Sequence, residues 1–148
     1  MDRRQELENI IIGTLLESKG DVNYYDDCRC AITEDMFLDE DNRRIYALIV
    51  EMNRNGHKDT DPCSIFEVYG AEVLDIMPHM YEMCTEWSMI YKKWYYNEKQ
   101  WIGSELCGVE PKYTDVCFSD FVGWFVKLVY DEKRESGSHE GGRSAAAA

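Results

Sequence analysis

A chain of 148 residues carrying 29 acids against 16 bases has a formal charge of -13, which argues against direct binding of double-stranded DNA, because neutralising phosphates needs a positive surface. With 45% hydrophobic residues, among them 10 Tyr, 5 Phe and 4 Trp, the length suits one domain with a real core. No stretch approaches the roughly 18 apolar residues of a membrane span, and the opening MDRRQELENIII is too acidic and its apolar run too short for a signal peptide, so no membrane contact is expected and the expected compartment is the cytoplasm.

Residues 3–18 place Leu7, Ile10, Ile11, Thr14 and Leu15 on one helical stripe, with Glu6 and Glu8 near the start. Gly13 interrupts that helix at a cost of about 1 kcal/mol relative to alanine, and a glycine kept there often lets a neighbouring helix come close. Residues 19–23 make a turn and 24–31 a short second helix; Thr33 or Asp35 then begins the turn that presents Met36 and Phe37 as anchors. The segment from Phe37 to Gly56 is the one around which the rest is expected to organise. Asp39, Glu40 and Asp41 suit the positive end of a helix dipole, and Ile45, Leu48, Ile49 and Met52 share a face. Arg54 and Asn55 lead into Gly56, which ends the helix.

Asp61 and Pro62 then read as N-cap and first residue of a helix closed by Gly70, with Ile65, Phe66 and Tyr69 facing inward. A further short helical segment runs over 71–77, and Pro78 is placed to start the next. Residues 78–104 are the most aromatic part of the chain, and a long helix with Met80, Cys84, Trp87, Ile90, Tyr91 and Trp94, extending to Trp101, on one side fits the spacing. Lys92, Lys93 and Lys99 interleave with these aromatics as in a stacking platform for single-stranded nucleic acid, although core or interface packing agrees better with the charge of the chain.

A connector over 107–115 leads to a final helix that Ser119 can cap, running to about Arg134, with Phe118 as a staple and Phe121, Val122, Phe125, Leu128 and Val129 buried. Residues 136–148 lack apolar periodicity and are expected to form a disordered Gly/Ser/Ala tail. No β-alternation of useful length occurs, so residues 1–135 are expected to form an all-α, compact bundle of about six helices.

The phosphate-cradling P-loop and the dinucleotide fingerprint are absent, as are H-E-x-x-H and G-x-S-x-G. The stretch LDEDNRR has the acids of a calcium loop without its central glycine or its twelfth-position glutamate. The six cysteines show no C-x-x-C pair and His57, His79 and His139 are scattered, so reduced thiols are expected, with no metal and no cofactor. No constellation for catalysis is offered, and the chain is not expected to be an enzyme.

The order of pieces carries a resemblance. ELENIIIGTLLES, a short helix, TEDMF, NRRIYALIVEMNRNG and TDPCSIFEVYG follow one another as in the N-terminal domain of the DnaB-type replicative DNA helicase, which residues 6–70 resemble. Phe37 takes the anchor place, Arg43, Ile45 and Tyr46 match the start of the middle helix, Gly56 its end, and Asp61 with Ser64 the following cap. Asn42 stands where the family usually has His, and residues 71–135 do not clearly follow the family's helical hairpin. The resemblance implies a stand-alone helical interaction module in the replication of a phage, plasmid or bacterial genome, without the ATPase motor and without helicase activity of its own.

The implied partners are a replicative helicase, a primase or a helicase loader, with a homodimer as another outcome. Trp87, Tyr91, Trp94 and Trp101 are expected to be the docking anchors, on spacing and because aromatics dominate interface energetics. The charge of -13 also fits an acidic inhibitor or DNA mimic that occupies the basic groove of a nucleic-acid enzyme.

Overall fold

The Asp2 carboxylate accepts the Gln5 amide at 2.8 Å and opens helix α1 (Arg3–Leu15) in a computed structural model that describes residues 2–91 and 117–147. Every residue of α1 from Leu7 to Leu15 is buried. Ile10, Ile11 and Ile12 point about 100° apart around the axis, and each is fully covered. A helix apolar on all sides belongs inside a bundle. The single stripe expected for this segment is therefore too narrow, and α1, not the 37–56 helix, is the central element.

The first 3₁₀ turn, the 37–56 helix, a π turn and the last helix pack around α1. A 3₁₀ turn (Tyr24–Asp27) and a second (Glu34–Met36) replace the short helix expected over 24–31, and they deliver Met36 and Phe37 to the interior. Helix α2 (Glu40–Arg54) follows, its start capped by Asp39, which accepts the Asn42 amide at 2.9 Å. Its buried face is Asn42, Ile45, Tyr46, Ile49 and Met52. Gly56, at φ +86°, turns the chain back past the end of α2. The Phe37 ring lies 4.9 Å from Tyr46 and 5.4 Å from Phe125, so the expected anchor ties α2 to the last helix.

Helix α3 (Pro62–Tyr69) starts at Asp61 and Pro62 as expected, although the Asp61 carboxylate takes the Ser64 hydroxyl instead of a backbone amide. A 3₁₀ segment (Gly70–Ile76) leads into α4 (Met77–Glu82), which passes through a π turn (Met83–Trp87) and stays helical to 91. That turn packs across α1 at Gly13.

Helix α5 (Phe118–Ala147) buries Phe118, Phe121, Val122, Phe125 and Val129 against α1. Its start is tied by Asp120, whose carboxylate accepts the Cys117 amide at 2.9 Å, and not by Ser119, which lies inside the first turn. Phe118 packs edge-on against Tyr24 and Tyr91, where a later residue of its own helix was expected. The backbone is helical to Ala147, past Arg134, the expected end of this helix, and no proline interrupts it.

Among the described residues the fold is all-helical, with no strand and one isolated bridge between Lys19 and Val22. The expected tally of about six helices turns on residues 92–116, which lie outside the described residues. No helix among the described residues is long and apolar enough to cross a membrane.

Candidate interaction surface

The corner where α3 meets α4 is held from behind by polar bonds to α1 and α2. Thr60 donates its amide to Ser18 O at 2.9 Å and its hydroxyl to Leu15 O at 2.8 Å, fixing the entry to α3 at the end of α1. Arg44 on α2 reaches Asp75 at 2.6 Å and Glu72 O at 2.7 Å, holding the 3₁₀ segment. The Arg44 guanidinium keeps the Asp75 carboxyl below its ordinary range.

A buried polar junction fixes the start of α4. The fully covered Glu8 carboxylate accepts the Leu38 amide at 2.9 Å, the Asp39 amide at 3.0 Å and the Asn42 side-chain amide at 3.1 Å. The same Asn42 amide group donates to Asn9 at 2.8 Å, which leaves its oxygen as an acceptor for His79 Nε2 at 2.6 Å. With both amide protons committed, His79 carries its proton on Nε2. Burial pushes the Glu8 carboxyl above its ordinary value, opposed by the hydrogen bonds from Leu38, Asn42 and Asp39.

On this frame the outer face of the corner is apolar. Phe66 is 42% exposed and Tyr81 is 47% exposed. Cys63, one helical turn before Phe66, places its sulfur 3.9 Å from the Tyr81 hydroxyl, which joins the two helices on the outside. That thiol holds the Tyr81 phenol above its ordinary range. Thr85 and Met89, the latter 58% exposed, continue the Tyr81 edge at four-residue steps. Exposed Glu67, Glu82 and Glu86 belong to the same segments, giving the apolar strip an acidic surround.

Two of the four expected anchors, Trp87 and Tyr91, lie among the described residues. Trp87 is half-buried in the π turn and packs against the core. Tyr91 is only 6% exposed, with its ring 6.0 Å from Tyr24, 5.9 Å from Phe118 and 5.8 Å from Phe121, so its surface is spent on internal packing. Trp94 and Trp101 lie outside the described residues, as do Lys92, Lys93 and Lys99. Phe66, expected to face inward with the fully buried Ile65, faces solvent instead. An eight-residue helix with apolar residues on both sides shows no period that could tell one face from the other.

Among the described residues no three His, Cys, Asp or Glu side chains gather in a metal-ligating arrangement. Neither curated proteins nor solved structures give a match. The DnaB-like helicase N-terminal domain family matches over residues 1–80 of the 148, which takes in α1, α2, α3 and the first turn of α4, and the chain belongs to that family.

Proposed function

We propose that this chain serves DNA replication as a non-catalytic protein–protein interaction module, docking a replicative helicase, a primase or a helicase loader, or a second copy of itself. The observation that carries the reading is the apolar strip of Phe66, Tyr81 and Met89 on a corner held from behind by the hydrogen bonds of Thr60 and Arg44. Large apolar side chains on a rigid support are the usual anchors of a docked interface. Trp87 at the π turn lies on the same stretch of chain, and Trp94 and Trp101 keep the anchor role that their spacing suggests.

The acidic-mimic reading rests on the charge of -13. Several acids already have structural tasks, however: Asp2 and Asp39 cap helices, Glu8 is buried, and Asp75 holds Arg44. Capture of partners from a host lysate at low and at high salt separates the two readings, because apolar docking is nearly insensitive to salt and charge mimicry is not. Recovery of a helicase, loader or primase at both salts, lost with Phe66→Ala or Tyr81→Ala, supports the module. Recovery of a nucleic-acid enzyme at low salt only, unaffected by those substitutions, would overturn it.

A further inference from the structure

One groove of this strongly acidic chain has the opposite sign. It lies between the first 3₁₀ turn and the end of α2, has a volume of about 420 Å³, and is lined by Asn23, Tyr25, Asp26, Arg29, Val50, Asn53, Arg54 and Lys58. Three cations face a single acid. Arg29 pairs with Asp26 at 3.5 Å across an exposed gap, whereas among the described residues no carboxylate lies within ion-pair distance of Arg54 or Lys58.

The cations come from three separate pieces of chain. Arg29 follows the 3₁₀ turn, Arg54 ends α2, and Lys58 is returned to the groove by the Gly56 turn. The Tyr25 phenol lies among them. Burial pushes its pKa up, opposed by Arg29 and Arg54, whose side chains line the same groove. Asn23 Oδ1 is engaged by the Tyr25 amide, so its amide protons are left as further donors.

The negative end of the α2 dipole would oppose an anion here, but it adds about half a charge to the single Asp26 carboxylate, against three cations. Part of it is also covered, since Met52 O accepts the His57 amide at 2.8 Å and Asn53 O accepts the Gly56 amide at 3.1 Å.

We propose that this groove binds the phosphate groups of a small polyphosphate anion, of the pyrophosphate or nucleotide type, between Arg29, Arg54 and Lys58. Guanidinium groups match phosphate oxygens in a two-pronged geometry, and a clustered charge suits a compact, multiply charged ligand better than the spaced carboxylates of an acidic peptide. Extended nucleic acid does not fit, because three cations in one hollow cannot track a backbone against an overall charge of -13.

The test is a titration of the full chain at low salt with inorganic pyrophosphate and, separately, with a nucleoside diphosphate, following backbone amide resonances. Saturable shifts confined to residues 23–29 and 50–58 are expected. The double substitution Arg54→Gln with Lys58→Gln should weaken binding about tenfold or more, and Lys127→Gln on α5 should leave it unchanged. Tighter binding of the diphosphate assigns the ligand as a nucleotide, and equal binding assigns it as the free anion. Shifts spread over all surface cations, or a double variant that folds and binds as the parent does, would overturn the proposal.

Discussion

Gly13 of α1 lies directly against the backbone of Met83 in the π turn of α4. A β-carbon at Gly13 would stand 2.9 Å from Ser88 N and closer still to Met83 O. The π turn uses that space, with the Ser88 amide bonded to Met83 O across it. Both obstructing atoms are backbone and cannot swing aside. Gly13→Ala should gain about 1 kcal/mol of helix propensity and lose more to overpacking, for a net loss of about 1–2 kcal/mol in a urea titration. A variant as stable as its parent would mean that α4 can slide off α1 at no cost.

Glu8 should give the domain an unusual pH response. Its folded pKa is raised above the ordinary 4.5 by burial, so the folded state holds the proton more tightly than the unfolded state. The stability linked to that proton is fully present below the unfolded value and is lost as pH rises through the folded value. Glu8→Gln removes the titration and offers one acceptor oxygen to donors that now share two, costing about 1–3 kcal/mol near neutrality. The gap between parent and variant should be wider at about pH 5 than at about pH 8. Denaturant titrations at the two pH values that give one constant gap would dispose of the idea.

How much of this was legible in the sequence depends on the kind of residue. Helix α2 could be read at both ends because Asp39 and Gly56 act locally, and the α5 stripe from Phe121 to Val129 because one apolar face meets one neighbour. The family pattern was legible over 6–70, and the match extends it to 1–80. Burial on the far side of α1, as at the fully covered Ile12, was not legible, because the segments that pack on α1 are remote in the chain. Glu8 was legible only as an acid near a helix start, and it is the arrival of Leu38, Asp39 and Asn42 that makes it a buried acceptor. For the docking surface, the aromatic density of 78–104 pointed to Tyr91, yet the ring is enclosed by Tyr24, Phe118 and Phe121, two of which follow it by more than 25 residues.

The bond between Asn42 and His79 should show as an energetic coupling. Asn42→Ala leaves the His79 Nε2 proton without its acceptor and removes a donor from both Glu8 and Asn9, in a site closed to solvent on the Asn42 side. The expected loss is about 1–3 kcal/mol. His79→Ala alone removes the donor and frees the Asn42 oxygen. Because the two residues share one bond, the double variant should lose less than the sum of the single losses, by about 0.5–3 kcal/mol in a double-mutant cycle. Additive losses would show that the 2.6 Å contact contributes nothing of its own.

Core and surface aromatics should separate cleanly when stability and partner capture are measured on the same variants. Tyr91→Ala opens a cavity among three rings and should cost about 3–5 kcal/mol, with any loss of partner following from unfolding. Phe66→Ala and Tyr81→Ala remove exposed rings and should change stability by only about 0.5 kcal/mol. On the proposed reading they nevertheless reduce capture, because truncating a central aromatic anchor commonly costs about 2 kcal/mol or more of binding. Thermal melts beside pull-downs give both numbers. If Tyr91→Ala melts like the parent but loses its partner, the ring is a docking anchor after all. If Phe66→Ala and Tyr81→Ala leave capture intact, the α3–α4 corner is not where the partner sits.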